Sequence, residues 1–93
     1  MYILVDHTIS DPAAFWGSAE QVMRMPPGVK LHQTFPTRDG TKAVCVWEAE
    51  SIDALRGFIE PLVGRVSRNE YLEVENKEGV ASPSGVRTAR VTA

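Results

Sequence analysis

Cysteine is nearly missing from this chain: Cys45 is the single one among 93 residues. A lone thiol rules out an internal disulfide framework and a paired-cysteine metal site, and it suits a reducing compartment. No stretch approaches the roughly 18 consecutive apolar residues of a membrane span. The opening "MYILVDHTISD" has no positively charged n-region and meets Asp6 too early for the apolar run of a signal peptide. The expectation is therefore a cytoplasmic protein with no membrane contact. Basic residues are in no excess either. Ten Lys and Arg stand against twelve Asp and Glu, for a net charge of −2 with the basic residues scattered, so no electrostatic footprint for nucleic acid is expected. Also missing are a glycine-rich phosphate loop and a Ser-His-Asp order with its nucleophile elbow.

What is present fits one globular domain. Hydrophobic residues make up 43% and charged residues 24%, ordinary values for a folded chain. At this length folding buries only roughly 60 to 65% of the unfolded surface, so the core is small. The domain is expected over 1–76. From Lys77 onward "KEGVASPSGVRTARVTA" is too poor in large apolar groups to build a core, and 77–93 reads as a mobile tail or an extended arm along a partner's sheet edge.

Periodicity and punctuation give six elements. "YILVDHTI" (2–9) reads as a central strand covered on both faces. In "SDPAAFWGSAEQVMRM" Asp11 caps a helix, Pro12 sits in its first turn, and Phe15, Ala19, Val22 and Met23 fall on one face. "PPG" at 26–28 ends it. The alternating "VKLHQTFP" (29–36) and "TKAVCVWEA" (41–49) flank an Asp-Gly, a strong hairpin signal. Ser51 caps a second helix whose stripe is Ile52, Leu55, Ile59 and Leu62, with Pro61 set to kink or end it. "RNEYLEVE" (68–75) is the last strand.

The order β-α-β-β-α-β predicts an α+β, ferredoxin-like fold: a four-stranded antiparallel sheet in the order 4-1-3-2 with two helices on one face. With a three-residue hairpin loop closed by Gly40, Leu31, Phe35, Ala43, Cys45 and Trp47 turn toward the helices. The open face then carries Lys30, His32, Thr34, Val44, Val46 and Glu48, with Leu4, Asp6, Tyr71 and Glu73 beside them. A two-residue loop would shift the pairing by one and move Trp47 beside His32. Such a mixed face calls for cover, most simply by a second copy related by two-fold symmetry.

Over about residues 1 to 76 the chain resembles the dimeric α/β-barrel superfamily, on the strength of "VDHTISD", "PPGVKLHQTF", "DGTKAVCVWEAESIDALRGFIEP" and "SRNEYLEV". In that superfamily two ferredoxin-like sheets pack face to face around a cavity. The resemblance is to a bacterial branch of short chains and, at greater distance, to a small nickel-binding member. Against the latter, His7 and Thr8, His32, and Cys45 fall at matching positions, with the second strand displaced by one residue. The resemblance implies a homodimer. Haem-degrading members use a Trp, an Asn and a His, whereas here Trp47 is joined only by Asn69 in another element and no histidine lies on the second helix, so haem is not expected.

The chemistry on offer is limited and each group has a plainer reading. His7, His32, Asp6 and Glu48 carry atoms suited to a divalent metal such as nickel, though none shows local ligand spacing. More simply, His7 bonds a loop carbonyl and His32 lines a dimer seam. Cys45 reads as packed and inert. A cofactor-independent monooxygenase or isomerase acting on a small aromatic or polyketide-like molecule would use His32 as proton acceptor, with Tyr71, Thr34 or Asp6 orienting the substrate. Leu4, Val46, Glu48, Trp47 and Thr34 would line its pocket, and Trp16 could help wall it, although tryptophans at core spacing are more often packing. The reading is thus a homodimer holding a small molecule or metal ion between its sheets, with the enzyme and a ligand-free dimerisation module as alternatives.

Overall fold

The first strand, β1 (Tyr2–Ile9), buries Ile3, Val5, His7 and Ile9 and leaves Tyr2, Leu4 and Asp6 half-buried on its other face. It is therefore covered on one side, not both. The structure, a computed structural model, describes residues 1–75; the tail expected over 77–93 lies outside the described residues. The strand feeds α1 (Pro12–Gly17), where Asp11 Oδ1 accepts from the Ala14 N–H at 3.2 Å and Pro12 occupies the first turn, where a missing N–H costs nothing.

The single helix expected here is two short ones. The chain breaks at Ser18, whose hydroxyl donates to the Phe15 carbonyl at 2.6 Å, and resumes as α2 (Ala19–Val22). A serine that bonds back to the preceding turn competes with the helical ladder, and Gly17 before it is a poor helix former. Phe15 is buried as expected, but Met23 is 63% exposed. Gly28 takes φ +87° in the turn after the two prolines, which glycine adopts without steric cost.

β2 (Lys30–Pro36) and β3 (Lys42–Glu48) form the hairpin with a loop one residue longer than expected. Thr37 N–H donates to the Lys42 carbonyl at 2.9 Å, and Asp39 Oδ1 collects the Thr41 N–H at 3.0 Å and the Thr37 and Thr41 hydroxyls at 2.9 and 2.8 Å. Gly40 turns the chain at φ +77°, and its carbonyl accepts from Trp16 Nε1 at 3.1 Å, tying the hairpin tip to α1. With Pro36 opposite Ala43, the pairs Phe35–Val44, Thr34–Cys45 and Gln33–Val46 follow. A bulge at His32 then returns the ladder to the expected pairs Leu31–Trp47 and Lys30–Glu48.

Two assignments change in consequence. Phe35 lies on the open face, 59% exposed, and Thr34 lies on the helix side beside Cys45.

α3 (Ile52–Val63) starts on Ser51, whose hydroxyl oxygen accepts from the Ala54 N–H at 3.0 Å. It buries Leu55, Ile59 and Val63, continues two residues past Pro61, and stops at Gly64. β4 (Ser67–Val74) pairs with β1, giving the antiparallel order β2-β3-β1-β4, the order the sequence predicts. Tyr71 stands opposite Val5 and Glu73 opposite Ile3. Both therefore share the helix-side face, which corrects their expected place on the open one. The core lies between α3 and the sheet, with Phe15 from α1 at one end. No helix among the described residues is long and apolar enough to cross a membrane.

Candidate functional site

A cavity of about 230 Å³ opens between the α1–α2 segment and the helix-side face of the sheet. Strand alternation places its floor: Cys45 and Trp47 from β3, Leu31 and Thr34 from β2, and His7 from β1. Phe15, Ala19 and Val22 roof it. Its wall is almost wholly apolar, and it lies beneath the interruption between α1 and α2. The Cys45 thiol donates to Thr34 Oγ1 at 3.6 Å. Burial holds that thiol above its ordinary range, so it stays protonated and uncharged. Trp47 is 2% exposed and its Nε1 has no hydrogen-bond partner among the described residues.

His7 is the polar end of the cavity. It is 3% exposed, and its ring packs edge-on against Phe15 with centroids 5.2 Å apart. Nδ1 lies 2.6 Å from Asn69 Oδ1, while Asn69 Nδ2 donates to Glu60 Oε2 at 2.9 Å. Tyr71 donates its hydroxyl to the same Glu60 oxygen at 2.6 Å, and the Arg56 guanidinium lies 4.8 Å from the centre of the Tyr71 ring. Burial first, and then the Glu60 carboxylate, push Tyr71 well above the usual phenol range. Burial lowers His7 from its ordinary value of 6.5 and outweighs the opposing effects of Asn69, Asp6 and Glu60. His7 is consequently a neutral imidazole near pH 7.

The opposite face carries different residues. Gln33, Val46, Leu4 and Leu72 form one row across the four strands, and Phe35, Val44, Asp6 and Glu70 form the next. His32 Nε2 meets Glu48 Oε1 at 3.0 Å, and its ring lies 5.4 Å from that of Tyr2. That hydrogen bond holds the Glu48 carboxyl below its usual range. Lys42 Nζ lies 3.4 Å from Asp6 Oδ1.

The sequence-derived residues thus divide between two faces. His32, Asp6, Leu4, Val46 and Glu48 share the open one, whereas Thr34, Trp47 and His7 line the cavity and Tyr71 joins its polar end. The sheet separates Tyr71 from His32, so these two cannot act on one molecule within one chain. It likewise separates His7 from His32 as a metal pair, and among the described residues no three His, Cys, Asp or Glu side chains gather as a metal site. Sequence reasoning missed Asn69 and Glu60. The available signal was that Ser67, Asn69 and Tyr71 share one strand parity, an unusual polar run for a face turned toward helices.

No family model matches the chain. No curated protein matches it either. Among solved structures it is similar to that of an uncharacterized protein from Thermotoga maritima, at 20% identity over 80% of this chain and 95% of the other, with a TM-score of 0.48.

Proposed function

We propose that the protein binds one compact, largely apolar molecule in the cavity beneath α1 and α2. The observation that carries this reading is the cavity itself: about 230 Å³ walled by Phe15, Trp47, Val22 and Leu31, with His7 as its buried polar group. Apolar cavities of roughly 150 Å³ stay dry and accept a benzene-sized ring, so this one suits a single substituted ring. Toluene is the direct probe. Titrated into the protein, it is expected to give saturable amide shifts at Trp47 and Cys45. Ala19→Phe, which places a ring from exposed α2 into the cavity, should weaken that binding at least about tenfold. Shifts that never saturate, or an unaltered affinity in the filled variant, would refute the reading.

A second reading concerns the open face, where Leu72 and Phe35 are 61% and 59% exposed beside Leu4 and Val46. In the dimeric α/β-barrel arrangement that the sequence resembles, this face would cover the same face of a second copy, and His32, Glu48 and Asp6 of both copies would border the space between the sheets. Apolar side chains left in water across neighbouring strands support it. Sedimentation at micromolar concentration is expected to give a dimer, and Leu72→Lys a monomer of unchanged fold. A wild-type monomer would overturn this reading and leave the helix-side cavity untouched.

A further inference from the structure

The network behind His7 constrains what the cavity accepts. Asn69 is oriented by Glu60: its Nδ2 donates to the carboxylate at 2.9 Å, so its Oδ1 faces His7. The Ser67 hydroxyl, 2.7 Å from Oδ1 and 3.0 Å from the Val63 carbonyl, has one proton and suits either orientation; Glu60 decides, since a flipped amide would set two oxygens together there. An amide oxygen can only accept, and His7 Nδ1 therefore carries the proton. Nε2 is left with a lone pair and no partner among the described residues, on a ring that lines the cavity. A neutral imidazole in this tautomer offers the cavity one acceptor and no donor through its Nε2.

From this we infer that the ligand is an uncharged, hydroxyl-bearing molecule of about one ring, a simple phenol or an enol of similar size, whose O–H donates to His7 Nε2. The inference rests on the cavity-binding reading above. Among the described residues Nε2 lacks a protein partner but is not one of the fully buried unpaired atoms, so it keeps some access to the cavity, and a ligand hydroxyl placed there would supply the missing donor. The apolar wall rejects a carboxylate or ammonium, which would lose its hydration with no counter-charge in return. Cys45, which lines the cavity, is held protonated and supplies none. A carbonyl oxygen gains nothing from this lone pair and would have to turn to the Thr34 hydroxyl on the cavity floor instead. Asn69 and Glu60 are positioning residues: they fix which nitrogen is bare.

Toluene and p-cresol separate the two levels of the argument, because they differ only by the hydroxyl. Without a partner the hydroxyl would make p-cresol the weaker ligand, through the cost of drying it. The expected result is p-cresol binding about tenfold more tightly than toluene near pH 8, with the ¹⁵N resonance of His7 Nε2 moving on p-cresol addition and not on toluene addition. In His7→Leu the preference should reverse. The nitrogen resonance is read in the wild-type protein, so the test survives a variant that folds poorly. Equal affinities with a still Nε2 resonance would overturn the hydroxyl inference while the cavity reading stands. Binding of neither probe would overturn both.

Discussion

Leu55→Ala is expected to cost the protein about 3–5 kcal/mol of unfolding free energy, read as a lower urea midpoint at unchanged slope. Leu55 is fully buried, at 0% exposure, in the cluster that includes Ile3, Val5 and Ile59. It faces the sheet from the middle of α3 and does not border the cavity beneath α1 and α2. Truncation there removes transfer free energy and leaves a void that neighbouring strands close only in part. Domains of this size have about 5–15 kcal/mol in total, so this one side chain accounts for roughly a fifth or more. A loss below about 1 kcal/mol would mean that α3 does not seal the sheet as described.

Acid is expected to destabilise the protein through His7. Its folded value lies below 6.5 because burial disfavours the imidazolium. In the unfolded chain it returns to about 6.5. Between those two values the unfolded state binds the extra proton. Stability is thus fully present above about pH 6.5 and falls as pH drops toward the folded value, by up to about 1.4 kcal/mol per pH unit, then levels off for this group. The surroundings of His7 are Asn69 and, beyond it, Glu60 and Tyr71, with Phe15 from α1 and Cys45 on β3, while Asp6 lies on the other face. Glu48 and Asp39, both held below their ordinary values, lose their contributions only at lower pH. His32 with Glu48 is common to wild type and a His7 variant, so it is the comparison between the two proteins, in denaturant titrations between about pH 7 and pH 5, that isolates His7. His7→Gln keeps a donor toward Asn69 without titrating, and its stability should fall less than that of wild type over that window. Parallel curves for the two proteins would contradict the assignment.

The fold was legible wherever local chemistry decides it. Asp11 with Pro12, and Ser51 with Asp53, each act within four residues, and the structure places both caps as the sequence predicts, while Asp39-Gly40 turns the hairpin where expected but through a loop one residue longer. Errors arose where a distant partner or a single extra residue sets the outcome. The parity of Thr34 and Phe35 depends on the length of the hairpin loop, which Asp39 widens by gathering the Thr37 and Thr41 hydroxyls. The face of Tyr71 depends on a register with β1 formed across more than 60 residues of chain, which no neighbouring residue encodes. The candidate residues were grouped on the wrong faces for the same reason: Thr34 and Tyr71 turn to the helix side, away from His32. Alternation marks which residues share a face, but it does not mark the break above the cavity, where Gly17 precedes Ser18 and the Ser18 hydroxyl bonds backward to Phe15.

The bulge in β2 has a consequence for chain length. Gln33 and Leu31 stand opposite Val46 and Trp47, adjacent residues of β3, and His32 lies between them without a rung of its own. Cutting out His32 would leave a regular ladder with each of these pairs intact, losing only the Glu48 hydrogen bond and the Tyr2 contact. By this register, loss of one residue at the position would not rethread the hairpin. Chains descended from the same ancestor can therefore lack this histidine and still carry the same cavity on the far side of the sheet.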